Sequence, residues 1–165
     1  MILAKSIKPG KLNDAAMRAV IEAEAVRVAD DIEKDFKRTT KTWSRKVKFA
    51  KIIALGKDKI EILVGSDDEI YRYVNEGTQA HVILPKRYTH LRFKDTFTAK
   101  TQPGVVDARP GGSSGSDVYS RGVIHPGTQA RNFDDAIATL WRSRMKRRLE
   151  KAMREAVRVS GHQLK

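Results

Sequence analysis

Two long stretches of helical periodicity, one near each end of the chain, constrain the fold more than any other feature. In the first, from Lys11 to Arg38, and in the second, from Asn132 to about Val159, apolar residues recur every three or four positions. They are Leu12, Ala16, Val20, Ala23, Val26, Ala29, Ile32 and Phe36 in the first, and Phe133, Ile137, Leu140, Trp141, Met145, Leu149, Ala152 and Ala156 in the second. Asn13 and Asn132 are candidate N-caps, because their side-chain oxygens can accept from free backbone amides of a first turn. The pattern predicts two amphipathic helices.

The polar side of the first predicted helix carries charges of both signs. Three pairs at i,i+4 spacing are expected to support it: Arg27 with Asp31, Asp30 with Lys34, and Glu33 with Lys37. A helix that lies on a membrane would show an excess of lysine and arginine instead. We therefore expect the apolar stripe to face the core or another subunit.

The centre of the chain has the periodicity of strands. Residues 45–55 and 59–65 are rich in Val, Ile, Phe and Leu, and the turn between them predicts a β-hairpin. Tyr71–Glu76 fits either a helical turn or a strand. Further strands are predicted at His81–Leu84, at Leu91–Phe93 with Phe97, and at Val118–Ile124. The sequence predicts one α+β domain over residues 1–165, with a long N-terminal helix, an antiparallel β-sheet with an extended loop, and a long C-terminal helix.

Three segments are poor in core-forming residues. Residues 1–8 are predicted to be an N-terminal arm and residues 160–165 a C-terminal tail. Residues 99–117 are rich in Gly, Ser, Pro and Asp, which predicts a flexible loop. We expect this loop to reach a neighbouring subunit through residues such as Arg109, Gly111 and Gly112.

The tetrapeptide Gly-Thr-Gln-Ala occurs twice, at Gly77–Ala80 and at Gly127–Ala130. Each copy follows a short apolar or aromatic run, and each predicts a backbone corner in which the glycine adopts a conformation that a Cβ atom would resist. His125-Pro-Gly-Thr128 has the residue types of a type II turn. Because the flanking residues match poorly, we interpret the repeat as two similar corners within one domain.

A large positive charge suggests an acidic partner. The 165 residues carry a net charge of +13, with an isoelectric point near 10.1. The most regular group of cations is Arg147, Lys151, Arg154 and Arg158 on the last predicted helix. These residues fit three alternatives: a solvated face, docking on an acidic protein, or non-specific contact with nucleic-acid phosphates.

Residue patterns typical of catalysis and of metal binding are missing from the sequence. There is no cysteine, no His-Glu-x-x-His pair, no phosphate-binding glycine loop and no nucleophile elbow. Asp67, Asp68 and Glu69 lack the spacing of a Ca²⁺ loop. His81 and His125 each lie near a corner and are expected to be structural, with a metal or acid–base pair as the alternative. We predict no enzymatic activity, no cofactor and no membrane partner. A hydrolase or nuclease is the alternative to this prediction.

The order of the motifs resembles that of the tail-completion and neck proteins of tailed bacteriophages, also called head–tail joining or minor tail proteins. The motifs are Tyr71-x-x-Val-Asn-Glu-Gly-Thr78, Ile83-Leu-Pro-Lys86, Leu91-x-Phe93, Val123-Ile-His-Pro-Gly-Thr-Gln-Ala130 and the aromatic Phe133. The resemblance covers most of the chain. The chain departs from the family pattern at Asn132, where the family often has proline, and in its longer and more basic last helix.

The resemblance implies a structural virion protein of the tail or neck, assembled in the host cytoplasm. Copies would form a ring, expected to be sixfold, at the head-proximal end of the tail, and would complete the tail and join it to the head. The implied partners are sister copies, other neck, connector, tail-terminator or tail-tube proteins, and viral DNA. The corner residues expected to shape the assembly surface are Tyr71, Val74, Glu76, Gly77, Thr78, His125, Pro126, Gly127, Thr128 and Phe133.

Overall fold

The computed structural model describes residues 13–56 and 59–161. Its elements follow in the order α1 (Asp14–Thr39), β1 (Ala50–Leu55), β2 (Ile60–Gly65), α2 (Glu69–Glu76), β3 (His81–Ile83), β4 (Leu91–Thr98), β5 (Gly112–Ser120), β6 (Val123–His125) and α3 (Phe133–Val159). This arrangement confirms the predicted α+β fold with a long helix near each end. The predicted N-terminal arm, residues 1–8, lies outside the described residues, as do part of the hairpin turn and most of the predicted C-terminal tail.

Helix α1 begins where the sequence predicts. The Asn13 side chain accepts a hydrogen bond from the Ala16 amide at 3.1 Å, which satisfies one free donor of the first turn. Of the three predicted i,i+4 pairs, only Glu33–Lys37 forms. Arg27 and Lys34 instead bond the acid three positions earlier, Glu24 and Asp31. The other two predicted pairs were wrong, because the carboxylates of Asp31 and Asp30 also form ion pairs with side chains of neighbouring elements.

Helices α1 and α3 pack against each other through polar as well as apolar contacts. The Arg148 guanidinium donates to Glu24 at 2.6 Å and to Asp31 at 2.7 Å. The Trp141 indole N–H donates to the buried Asp35 carboxylate at 2.8 Å. These bonds determine which sides of the two helices pack together, because a buried carboxylate that lost its hydrogen-bond donor would destabilise the fold.

The aromatic side chain of Tyr71 lies at the centre of the core. Its ring contacts those of Phe36, Trp43, Phe49 and Phe133, with centroid distances of 5.1–6.4 Å. Aromatic side chains bury about 150–250 Å² each and carry much of the hydrophobic stabilisation of a small core. Two elements separated in sequence, α2 and α3, are therefore joined to α1 at this one cluster.

The strands are distributed over three two-stranded antiparallel sheets, β1–β2, β3–β6 and β4–β5. The hairpin β1–β2 turns one face toward α1, with Ile62 and Val64 packed against the core. On its outer face, the cross-strand partners Ile52 and Leu63 are both exposed. Since each sheet has two strands, every described strand has one edge without a strand partner.

Strand β5 corrects the predicted extent of the loop. Residues 112–117, which were predicted to be part of a flexible loop, pair with β4 as the first part of β5, with one irregularity between Lys94 and Thr96. The remaining segment, residues 99–111, lies on the rest of the chain. Lys100 donates to the Thr42 carbonyl at 2.9 Å, Thr101 is buried, and Val106 packs against the core.

These contacts divide the molecule into two regions. We call α1, α2, α3, β1, β2 and segment 99–111 the body, and we call strands β3 to β6 with segments 84–90 and 121–122 the arm. The arm is attached to the body at two places, next to Thr78 and Thr128 and through segment 99–111. Segments 84–90 and 121–122 form the end of the arm away from both attachments, which we call the tip.

Candidate assembly site

The two Gly-Thr-Gln-Ala corners contact each other. The Thr78 amide donates to the Thr128 carbonyl at 2.9 Å, and the Thr128 amide donates back to the Thr78 carbonyl at 3.0 Å. Thr128 also donates to the Thr78 hydroxyl at 3.0 Å. Because His81 lies opposite His125 in the same antiparallel register, the corners and the sheet β3–β6 form one continuous ribbon.

Both corner glycines have a backbone that a side chain would disrupt. Gly77 has φ of 81°, and a Cβ atom there would lie 2.6 Å from the Thr128 carbonyl oxygen. Gly127 has φ of 92°, and its Cβ would lie 2.2 Å from the Thr78 carbonyl oxygen. The positive φ of Gly127 agrees with the predicted type II turn, although Thr128 donates across the ribbon. Each glycine thus lets the opposite corner approach.

Asn75, which belongs to the first motif but was not predicted to be a site residue, connects α2 to the start of α3. Its side-chain oxygen accepts from the Phe133 amide at 2.7 Å, and its carbonyl accepts from the amides of Arg131 and Asn132, both at 3.0 Å. Asn132 occupies the N-cap position of α3 as predicted, but it is left-handed, with φ of 50°, and its side chain makes no cap bond. The predicted capping by Asn132 is therefore wrong, because a cap needs an extended backbone to aim its side chain.

The remaining residues of the first predicted corner extend from the core to the surface. Tyr71 stacks on Phe133, and burial raises the pKa of its phenol, so that it stays neutral. Val74 is half-buried against the core, and its carbonyl accepts from the Arg131 amide at 3.2 Å. Glu76, at the end of α2, is exposed, as is Pro126 in the second corner. The predicted corner residues thus meet at one junction between arm and body.

His81 and His125 lie side by side across the ribbon, with ring centroids 5.2 Å apart. His81 Nδ1 donates to the Gln79 carbonyl at 2.9 Å, and His125 Nδ1 accepts from the Gly127 amide at 3.0 Å. Among the described residues, no group of three or more His, Asp or Glu side chains could hold a metal ion. Both rings fix the backbone of the corners.

One face of the ribbon is apolar and exposed. Val82 and Ile124 are cross-strand partners with 62% and 75% of their surface exposed, and Leu84, two residues after Val82, is 63% exposed. Aliphatic side chains concentrated on one small sheet are typical of a contact surface for another protein. This face lies next to the predicted corners.

The predicted basic group on α3 is divided by the structure. Lys151, Arg154 and Arg158 line a groove of about 830 Å³ between α1 and α3, whereas Arg147 is exposed outside it. Arg27 and Arg148 line the same groove, together with the acids Glu24 and Glu155. Arg158 is bound to Glu155 at 2.8 Å, and neither Lys151 nor Arg154 has an ion pair within the described part of the chain. The groove therefore has an excess of positive charge.

The loop residues predicted to reach a neighbouring subunit lie at the join between loop and strand. The Arg109 amide donates to the Lys100 carbonyl at 2.7 Å, and Gly112 begins β5. A Cβ atom at Gly111 would lie 2.6 Å from the Thr98 carbonyl oxygen. These backbone contacts are within the chain, and contact of the Arg109 side chain with a neighbour stays a prediction.

No helix in the described residues is both long enough and apolar enough to cross a bilayer. Comparison of the chain with protein-family models, with curated proteins and with solved structures gives no match.

Proposed function

We propose that this protein is a structural component of a tailed-bacteriophage virion. In this role, copies of the chain form a ring at the head-proximal end of the tail, complete the tail and join it to the head. The proposal rests on the ordered motifs that resemble neck and tail-completion proteins. The observation that supports it most directly is the exposed aliphatic face formed by Val82, Leu84 and Ile124 next to those motifs.

The physical argument starts from the cost of this face in a lone molecule. Burying an aliphatic side chain of this size contributes roughly 1.5–3 kcal/mol, so three of them provide a substantial driving force for association. Among the described residues, neither strand of the ribbon has a strand partner on its outer edge, so each edge can pair with a strand of another chain. The corners hold the face in a fixed position relative to α3, as a repeated subunit contact requires.

Ring formation is tested by sedimentation velocity and negative-stain imaging of the purified chain. We expect rings for the wild type and monomers for a Val82→Asp/Ile124→Asp variant with an unchanged helical circular-dichroism signal. The matched control is Ile52→Asp/Leu63→Asp, which changes a cross-strand pair of similar exposure on the body. If only the control variant dissociates the rings, the arm is not the contact.

The function itself fails on a different result. A wild-type chain that stays monomeric, both alone and when mixed with phage portal and tail-tube proteins, would reject the proposed role. A gene neighbourhood without capsid, portal or tail genes would count against it in the same way.

A second candidate function is non-specific binding of duplex DNA, favoured by the groove between α1 and α3. Its cations Lys151 and Arg154 are free to contact phosphates, and each phosphate contact would make binding weaker in salt. We expect Lys151→Glu/Arg154→Glu to abolish binding. The matched control is Arg142→Glu/Lys146→Glu, which reverses two exposed charges on the same helix outside the groove. Equal losses in both variants would show that net charge alone attracts DNA.

A further inference from the structure

The tip of the arm carries a second concave surface, remote from the groove between the helices. It is a depression of about 680 Å³ at the end of the arm. Its principal side chains are Lys86, Arg87, Tyr88, His90, Arg92 and Tyr119. Among the residues that line it, all of which are described, none is acidic.

The cations of the depression are of two kinds. Lys86 and Arg87 are exposed and have no ion pair within the described part of the chain. Arg92 is held in place, because it donates to Asp117 at 2.8 Å on the neighbouring strand. One oriented guanidinium and two free cations provide an attractive potential for an anionic chain.

The two tyrosines of the depression are unusually open to solvent. Tyr88 is 81% exposed and Tyr119 is 63% exposed, so most of each ring is available for a partner. Tyr119 is the cross-strand partner of Arg92, which places an aromatic ring and a guanidinium beside each other on the same face of β4–β5. Aromatic rings interleaved with cations are the combination that binds unpaired bases, because the rings stack on bases while the cations contact phosphates.

We propose that the tip of the arm binds single-stranded nucleic acid, with Tyr88 and Tyr119 stacking on bases and Lys86, Arg87 and Arg92 contacting the backbone. Duplex DNA fits less well, since its bases are already stacked and present no free faces to tyrosine. An acidic protein segment fits less well, since it uses the cations and leaves both rings without a specific role. The proposal does not depend on ring formation.

Fluorescence anisotropy with a labelled oligo(dT) tests the proposal. We expect the wild type to bind this strand more tightly than a duplex of equal length, and Tyr88→Ala and Tyr119→Ala each to weaken binding roughly 5- to 100-fold. Arg87→Ala should reduce the slope of log affinity against log salt concentration by about 0.7, as expected for one lost phosphate contact on a single strand. The matched control is Tyr73→Ala, an exposed tyrosine on α2 outside the depression.

Several outcomes would overturn the proposal. They are equal affinity for duplex and single strand, binding that is unchanged in both tip tyrosine variants, and an equal loss in Tyr73→Ala. Equally effective competition by poly-glutamate would identify a general anion surface. If the tip variants weaken ring formation while oligo(dT) binding is unchanged, the depression is a contact between copies of the chain. This result would reject nucleic-acid binding at the tip and leave the proposed ring intact.

Discussion

The body and the arm use the chain in opposite ways. In the body, side chains determine the structure: Tyr71 contacts four aromatic rings, and Trp141 bonds a buried carboxylate. In the arm, backbone hydrogen bonds determine it, and seven of the eight residues of β4 are exposed. The body therefore stabilises itself, whereas the arm is positioned by its two attachments and leaves its side chains available to partners.

Aromatic substitutions should give the largest contrast between the two regions. Phe133→Ala removes a fully buried ring and is expected to lower the free energy of unfolding by about 3–5 kcal/mol. Phe97→Ala in the arm, where the ring is 71% exposed, should change it by less than about 0.5 kcal/mol. Urea denaturation followed by circular dichroism measures both. Similar losses would mean that the arm is part of the same cooperative core.

The junction of arm and body is tested by Gly127→Ala. A Cβ atom there meets the Thr78 carbonyl, and the positive φ adds backbone strain, so we expect a loss of about 2–4 kcal/mol. Gly65→Ala is the matched control, because no atom lies within 4 Å of its added Cβ. A well-tolerated Gly127→Ala would show that the two corners can separate without cost to the body.

Asn75 in α2 and Asn132 at the start of α3 should respond to substitution with opposite signs. Asn75→Ala leaves the buried Phe133 amide without its acceptor and should cost about 1–3 kcal/mol. Asn132→Gly relieves a left-handed backbone and loses no cap bond, so it should be neutral or stabilising by up to about 1 kcal/mol. Thermal unfolding of the two variants measures both effects. Destabilisation by Asn132→Gly alone would show that Asn132, and not Asn75, stabilises the first turn of α3.

Acid should produce the smallest contrast. Lys34 and then Arg148 hold the pKa of Asp31 below its ordinary value of 3.8, so its contribution to stability is present at neutral pH and lost as the pH falls through the lower, folded value. Asp31→Asn should cost less than about 1 kcal/mol near neutral pH, and this difference should vanish in strong acid.

The arm supplies the control for the acid experiment. The pKa of Asp117 is lowered as that of Asp31 is, first by the hydrogen bond from Arg92 and then by that from Lys94. Because Asp117 lies in the arm, Asp117→Asn should leave the acid unfolding of the helices unchanged, as followed by circular dichroism. A shift equal to that of Asp31→Asn would mean that arm and helices unfold together.

Features of the body were largely predictable from local sequence. The apolar stripes predicted α1 and α3, and alternation predicted the hairpin β1–β2, because each of these elements buries one face. For α2 the pattern left helix and strand open, although Asp68, whose side chain accepts from the Tyr71 amide at 2.9 Å, was a usable cap signal.

Features of the arm and of the junction depend on contacts between distant residues. The first residues of β5, Gly-Ser-Ser-Gly-Ser, are exposed or half-buried and show no hydrophobic alternation, so their pairing with β4 leaves no trace in composition. Asn75 bonds Phe133, 58 residues away, and nothing next to it in sequence marks that partner. The repeated tetrapeptide was the one local sign of the junction, and it did not indicate that its two copies pair.

The double attachment of the arm sets a rule for its length. The ladder from Thr78 to Ile83 and the ladder from Leu91 to Thr98 both connect the body to the tip. Adding one residue pair to either ladder moves its outer end by about 3.3 Å, and the other ladder or segment 84–90 has to take up the difference. The two ladders therefore act as a spacer of defined height, and a chain with a taller or shorter arm would have to change both together.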